Sequence, residues 1–327
     1  LFEFKYKYSD HLQYFRQLAK ALQVNIDNNT LLLPAHIGSG YIRVAALANG
    51  LQLLVNETVT VQKVKFTRMP ATEKSYTLRF DEVLNVAGLS IELDKNVLEE
   101  SNEAYSGVSL TNSLAHFSYT APAGVQDRCV NVYFTADWLQ KNFGISSNDK
   151  VLHKYLSLKT AVFNFEVLDF EYRELMEDIF FIKDGEPLQR VIQQNRVMLL
   201  MEKFFKNLYR RLSDTHGTQG QLPEETLKRM MQIESILVKD LSVQPPTIPE
   251  LAKTAMMSET KLKNTFKKVY GYSIYEYYQK CRMLKARQLL RARRFSIKEI
   301  GLMLGFRNLS NFSIAFRKEF NMLPSDV

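Results

Sequence analysis

The chain has 327 residues, 46% hydrophobic and 24% charged, with 13 Gly, 9 Pro and 2 Cys. That composition suits a globular protein large enough for two domains, and it excludes collagen-like, low-complexity and disulfide-framework proteins and a four-Cys zinc site. The formal net charge of +8 lies in the last quarter, where residues 247–327 hold 16 Lys and Arg against 6 Asp and Glu, while the remainder is near neutral.

A basic small domain joined to a near-neutral larger one points to a polyanion-binding module beside a sensing or assembly domain. Charge alone would more often mean a solvated basic face. Apolar runs such as Val197–Met201 fall far short of the ~20 residues a membrane helix needs. Leu1–Tyr6 lacks a signal-peptide layout, so a cytoplasmic protein without membrane partners is expected.

Residues 29–135 carry short runs of branched and aromatic residues between turn residues, the pattern of a β-rich domain. Strands are expected at Tyr41–Leu47, Leu51–Val55 (after Asn49-Gly50), Val59–Phe66, Tyr76–Phe80, Leu89–Leu93 and Val130–Phe134. From Trp138 the pattern turns helical, with helices expected over Phe165–Phe181 and Pro187–Leu212. The second of these carries Leu188, Val191, Ile192, Leu199, Phe205, Leu208 and Leu212 at helical spacing. It either packs on its own domain or pairs two subunits, and a homodimer through 187–212 is the expectation adopted. Residues 213–222 are polar and aperiodic, a linker between an N-terminal domain over 1–212 and a C-terminal domain over 223–327. The fold class expected is α+β in two domains: a barrel or sandwich with appended helices, then an all-α domain. Arg43, Tyr76, Phe80, Phe117, Tyr119 and Tyr133 are candidates to line a ligand cavity, although aromatic strand residues more often form plain core.

Three capping boxes mark helix starts in the basic region, Thr247-Ile-Pro-Glu250, Ser273-Ile-Tyr-Glu276 and Ser296-Ile-Lys-Glu299. Two of them open a repeat. Thr247–Ala252 matches Ser296–Gly301 at an offset of 49, and past the turn Leu262, Phe266, Lys267-Lys268 and Tyr270 match Phe312, Phe316, Arg317-Lys318 and Phe320 at an offset of 50. Each copy, 247–271 and 296–321, reads as a short helix, a tight turn and a longer helix, with Ala252 or Gly301 where the helices cross. This is a helix-turn-helix present twice.

At 100° per residue, Leu262, Phe266 and Val269 point inward in the first copy, leaving Thr260, Lys263, Asn264 and Lys267 outward, with Lys268 adjoining. In the second copy Phe312, Phe316 and Phe320 point inward. Ser310, Ser313, Ile314 and Arg317 face out, with Asn311 on the flank and Lys318 beside them. Such groups suit base edges and phosphates of double-stranded DNA. Between the copies Ile274–Arg291 reads as one helix, a strut of roughly 27 Å, with Tyr275, Tyr278, Met283, Ala286, Leu289 and Leu290 on its apolar face. A stiff strut can hold both readers against successive major grooves.

Residues 224–327 resemble the DNA-binding domain of the AraC/XylS family of transcription regulators. The resemblance is carried by Ile297-Lys-Glu-Ile-Gly-Leu-Met-Leu-Gly-Phe306, Asn311-Phe-Ser-Ile-Ala-Phe-Arg-Lys-Glu-Phe320, Pro324-Ser325 and Ala286-Arg-Gln-Leu-Leu290. It covers about a third of the chain. It implies base reading by Thr260, Lys263 and Asn264 and by the Ser310–Ile314 stretch. The chain departs from the family pattern at Met256, where Gly is usual in the first turn, at Asn321, and at Ile314, often Arg. The N-terminal part is similar only in outline to the barrel-like, cupin-like sensing regions of the same family, which implies a small-molecule effector and a homodimer.

Enzymatic readings find little support. The five histidines form no H-x-H or H-E-x-x-H, no G-x-S-x-G occurs, Gly38-Ser-Gly40 is too short for a phosphate loop, and Cys129 and Cys281 read as core thiols. No catalytic residue, metal or cofactor is assigned. Three readings stay open: a regulator with an effector, a DNA-binding protein whose large domain only dimerises, and, least supported, a barrel enzyme fused to a DNA module.

Overall fold

A computed structural model describes residues 1–94, 96–100, 104–157, 166–182, 185, 187–213 and 222–327. Of the expected linker 213–222, residues 214–221 lie outside the described residues. Contacts divide the chain into two compact units, Leu1–Leu168 with Asp178–Gln221, and Asp169–Glu177 with Leu222–Val327.

The first unit begins with β1 (Phe2–Lys7) and α1 (His11–Leu22), ahead of the region read as β-rich. Asp10 caps α1 by accepting from the Gln13 amide, and Gln23 closes it at φ 55°. The strands follow as β2 (Thr30–Leu32), β3 (Gly38–Ala46), β4 (Gln52–Thr60), β5 (Val64–Met69), β6 (Ser75–Leu84), β7 (Leu89–Leu93), β8 (Asn96–Glu100), β9 (Ala104–Asn112), β10 (Phe117–Ala121) and β11 (Gln126–Thr135). The run Val59–Phe66, expected as one strand, is cut at the polar Gln62-Lys63, so that its ends close β4 and open β5. Helices α2 (Ala136–Phe143), α3 (Lys150–Ser157), α4 (Phe170–Phe180) and α5 (Gln189–Ser213) complete this part of the chain. Helix α4 starts later than the expected Phe165, because the Asp169 carboxylate accepts from the Tyr172 amide and sets the first turn.

The strands form two sheets, one of order β1-β5-β10-β7-β8 and one of order β2-β3-β4-β11-β6-β9. Among the described residues no strand pairing closes them into one hydrogen-bonded barrel; the domain is an open pair of sheets. All pairings are antiparallel except β1 with β5. An apolar core of Phe4, Val64 and Ala121 from the first sheet, Ile42, Val44 and Leu54 from the second, and Phe15 and Leu18 from α1 holds the sheets together.

Strand β6 shows how the six-stranded sheet is used on both faces. Tyr76, Leu78 and Phe80 are fully buried, and Tyr76 stacks toward Phe134, which in turn meets Trp138 of α2 and Phe205 of α5. The alternate residues Thr77 and Arg79 face the other way, toward the five-stranded sheet. Apolar side chains thus meet helices on one face, and polar ones meet a cavity on the other.

The second unit contains α6 (Glu224–Lys239), α7 (Ile248–Thr254), α8 (Glu259–Tyr270), α9 (Ile274–Ala292), α10 (Ile297–Met303) and α11 (Leu309–Phe320). The helix starts follow the boxes read from sequence: the Glu250, Glu276 and Glu299 carboxylates accept from the amides of Thr247, Ser273 and Ser296. Helix α9 is continuous across the expected strut, with Tyr278, Met283, Ala286 and Leu290 buried. Tyr275, assigned to the apolar face, is instead exposed, and Tyr277 takes the buried place. Asp169–Glu177 are tied into this unit by a buried ion pair, Arg173 Nη2 to Glu234 Oε1 at 2.6 Å, and the Tyr277 hydroxyl donates to the same oxygen at 3.0 Å.

The two helix-turn-helix turns have the same geometry. Met256 and Gly305 both have positive φ, 51° and 74°. The next amides, Met257 and Phe306, donate to Ala252 and Gly301 carbonyls at 3.0 and 2.9 Å. A non-glycine residue in this conformation costs about 1 kcal/mol. Met256→Gly is therefore expected to raise the unfolding free energy of the second unit, by at most about 1 kcal/mol after the larger backbone entropy of the unfolded glycine. At Gly305 an added Cβ would lie 2.3 Å from the Ser242 carbonyl oxygen. Gly305→Ala should cost at least about 2 kcal/mol through clash and strain together. Calorimetry of both full-length variants checks the opposite signs.

Candidate DNA interface and cavity

Each turn delivers a capped helix. The Ser258 hydroxyl accepts from the Lys261 amide at α8, and the Asn308 side chain accepts from the Ser310 amide at α11. Leu262 and Phe266 are buried in the first copy, Phe312 and Phe316 in the second. Their burial turns Thr260, Lys263, Asn264, Lys267 and Lys268 to the surface of α8, and Ser310, Asn311, Ile314, Arg317 and Lys318 to that of α11; Ser313 is half-buried. Lys263 lies 3.8 Å from Glu259, with both side chains about half exposed, a pair too weak to hold the ammonium from a phosphate. Ile314 is 66% exposed, a bare apolar group among polar ones. Lys261 and Arg307 are also exposed near the two helix starts and were not singled out from sequence. Their signal was a cation within a few residues of each N-cap.

Not every cation of the basic region faces water. Arg282 is buried, with its guanidinium on the Leu304 carbonyl and 4.1 Å over the Phe306 ring. Lys280 pairs with Glu319. These groups brace α9 against the second repeat, so the charge available to a polyanion is smaller than the sequence count.

The first unit encloses a cavity of about 130 Å³ between its sheets and α1. Its walls include Tyr6, Tyr14, Phe66, Phe117 and Tyr119, and the polar Asn56, Thr77, Arg68, Arg79, Asp127 and Asn131. Of the candidates read from sequence, Phe117 and Tyr119 line it and Arg43, Tyr76, Phe80 and Tyr133 do not. The reason is strand parity. Tyr76 and Phe80 lie on the helix-facing side of β6, and Arg43 points the same way from β3, donating to the carbonyls of Ile182 and Ile179 at 2.9 and 3.1 Å. Tyr133 packs instead against Tyr8 and His11, with ring centroids 6.0 and 5.8 Å away. Polar alternates on the same strands, Arg79 and Asp127 above all, carried the signal that the aromatic residues obscured.

One ionic group of the wall is satisfied by a neighbour on its own strand. Arg79 donates from Nε and Nη2 to the two Asp81 oxygens at 3.2 and 3.0 Å. Asp81, Asp127 and Cys129 bring ligand atoms within 4.8 Å of one another. The Arg79 guanidinium already occupies both Asp81 oxygens, and burial pushes the Cys129 thiol well above its usual range. The cluster is therefore poorly suited to a cation. Burial, with a further push from Asp81, raises the Asp127 carboxyl to about 6, against the pull of Arg79. Burial also lowers His11 to about 3, leaving a neutral imidazole whose Nδ1 meets the Tyr8 hydroxyl at 3.0 Å.

The second unit is thus a double helix-turn-helix module, two capped reading helices joined by one long helix. Residues 251–327 match the helix-turn-helix domain family. The unit is an AraC-type helix-turn-helix domain. The HTH-type transcriptional activator RhaS of Salmonella heidelberg is 35% identical over 145 residues, 44% of this chain and 49% of its own length. Histidine kinase P4 of Formosa agariphila is 25% identical over 169 residues, 52% of this chain and 12% of the kinase. The chain thus spans at most about half the length of these relatives. An AraC-type transcriptional regulator from Chromobacterium violaceum, solved as a crystal structure, aligns with 28% identity and a TM-score of 0.29, covering 32% of this chain and 92% of that one. No described helix is long and apolar enough to cross a membrane.

The raised Asp127 carboxyl makes a signed expectation. A folded-state value near 6 against an unfolded one near 3.8 means that the native state binds the extra proton, so this group's destabilising effect is full above pH 7 and fades as pH falls toward 4. Asp127→Asn should therefore be more stable than wild type at pH 7.5, with the difference shrinking by pH 4.5. Denaturant unfolding at three pH values measures it.

Proposed function

We propose that the protein is a transcription regulator whose tandem helix-turn-helix reads two successive major grooves, under control of a small molecule held in the N-terminal cavity. One observation carries the DNA reading. Helices α8 and α11 expose hydroxyl and basic groups at matching positions, Thr260 with Ser310 and Lys267-Lys268 with Arg317-Lys318, and the 19-residue α9 joins their repeats without a break. Phosphate contacts then come from the lysines and Arg317, and base discrimination from Asn264, Thr260 and the Ser310–Ile314 stretch. The cavity, with its aromatic and polar walls, supports an effector site. A regulator of this kind would act in the cytoplasm.

Homodimerisation through α5 belongs to the same proposal, in a reduced form. Val197, Leu200, Met201, Phe204, Phe205 and Leu208 are buried within the chain itself. Leu188, Val191 and Leu199 remain exposed, at spacings that place them along one side of the helix start. This stripe is the surface available to a second copy. A Val191→Glu, Leu199→Glu double variant should sediment as a monomer at micromolar concentration where wild type sediments as a dimer.

Sites selected from random DNA by the full chain should contain two short segments centred about 10 base pairs apart. Inserting five base pairs between them turns the second groove away, and affinity should fall toward that for random DNA plus one repeat. A wild type indifferent to the insertion would rule out rigid two-groove reading. On the selected site Asn264→Ala should cost about 1–3 kcal/mol while leaving random-DNA binding nearly unchanged. Lys318→Ala should weaken both and flatten the salt dependence.

A further inference from the structure

Three charged side chains line the cavity, Arg68, Arg79 and Asp127, and only Arg79 is held by an opposite charge in a direct pair. Arg79 and Asp81 form a two-bond pair on β6. Arg68, on β5 of the opposite sheet, is 4% exposed, yet among the described residues it makes no ion pair. Its Nη2 donates to the carbonyls of Asn112 and Ala115 at 2.9 and 3.3 Å, and its Nε has no partner. The guanidinium lies between aromatic faces, 5.5 Å from the Tyr8 centroid and 5.4 Å from that of Phe117. Across the cavity, on β11, Asp127 Oδ1 is shielded from solvent and likewise unpartnered. The Tyr119 hydroxyl is a third buried group without a partner among the described residues.

Shielded atoms of oppositely charged groups left without partners on facing walls are costly, Arg68 Nε on one and Asp127 Oδ1 on the other, even though Asn56 and Cys129 bond the Asp127 carboxylate, and they call for a ligand that answers both. A simple anion would satisfy Arg68 but meet the Asp127 carboxylate, and a simple cation would do the reverse. A neutral polyol would offer hydrogen bonds to each and neutralise neither. We propose that the cavity binds a small zwitterion of the amino-acid class, its carboxylate on Arg68 and its ammonium on Asp127. This rests on the reading of the cavity as an effector site. The rings of Tyr6, Tyr14 and Phe66 enclose the remaining space with apolar surface, which suits a short side chain or methylene spacer between the two charged ends.

The test uses the full-length chain. Thermal melting is measured with each of the twenty L-amino acids, with β-alanine, 4-aminobutyrate and 5-aminovalerate, and with a set of pentoses and hexoses. For the best amino acid, titration calorimetry then compares its methyl ester, which lacks the anion, and its deaminated acid, which lacks the cation. The expected result is stabilisation by at least one amino acid, with both analogues bound about tenfold more weakly or worse. Arg68→Gln should remove the preference over the ester, and Asp127→Asn the preference over the deaminated acid. If either variant fails to fold, the analogue comparison on wild type decides alone. An analogue bound as tightly as its parent overturns the assignment of that charge. Binding of a sugar but of no amino acid overturns the ligand class and keeps the effector reading. If neither set binds, and native mass spectrometry of the gently purified chain finds no retained small molecule, both readings fall.

Discussion

The DNA-reading surface depends on how closely two short helices approach in each repeat. Ala252 and Gly301 stand at the crossings; a Cβ on Gly301 would lie 2.9 Å from the Leu309 Cδ2 atom and 3.5 Å from the Phe312 ring. Only a small residue permits that distance, and only a backbone turned to positive φ at Met256 and Gly305 redirects the chain quickly enough to use it. Once the crossing is set, Leu262 and Phe266, or Phe312 and Phe316, must turn inward. The exposed faces of α8 and α11 follow from that packing and need no separate cause.

The sheets of the first unit obey a different constraint, the period of two along a strand. Because the six-stranded sheet is covered on one face by α2 and α5, the apolar residues of β6 are used there. What remains for the interior between the sheets is a set of polar side chains, Thr77 and Arg79 on β6 and Asp127 and Asn131 on β11. The cavity there takes its polar groups from β6 and β11, set among the apolar Ile42, Leu54, Val64 and Phe66 of β3, β4 and β5. That division of labour explains how a small interior comes to hold three charged groups while the domain still has a continuous apolar core beside α1.

The second unit was legible in the sequence because every level of it repeats. The capping boxes mark its helix starts, the offsets of 49 and 50 align its halves, and 3.6-residue periodicity separates Asn264 from Phe266. The first unit was less so. Branched and aromatic runs located most strands, but period-two patterns do not say which face is the solvent, cavity or helix side when both are buried. Tyr76 and Phe80 were therefore placed on the wrong face for a cavity, and Arg68 was passed over inside a short basic-looking strand. Sequence spacing also had no means to show α1 and β1 joining the core, since their partners lie on β3, β4 and β5, brought near only by folding.

The buried Arg173–Glu234 pair bears on how this protein can be divided. Arg173 precedes the polar segment at 213–222 by forty residues, but its charge is spent inside the helical unit, where Glu234 is 2% exposed. A gene fragment beginning at Glu224 would contain every residue of both repeats and would still leave that carboxylate, and the Tyr277 hydroxyl donating to it, without their cation. Breaking a pair so deeply buried costs about 3–5 kcal/mol, a large share of what a domain of this size has to spare. The piece of chain that reads as the DNA-binding domain and the piece that can stand alone are therefore different lengths of polypeptide, and their difference is the start of α4.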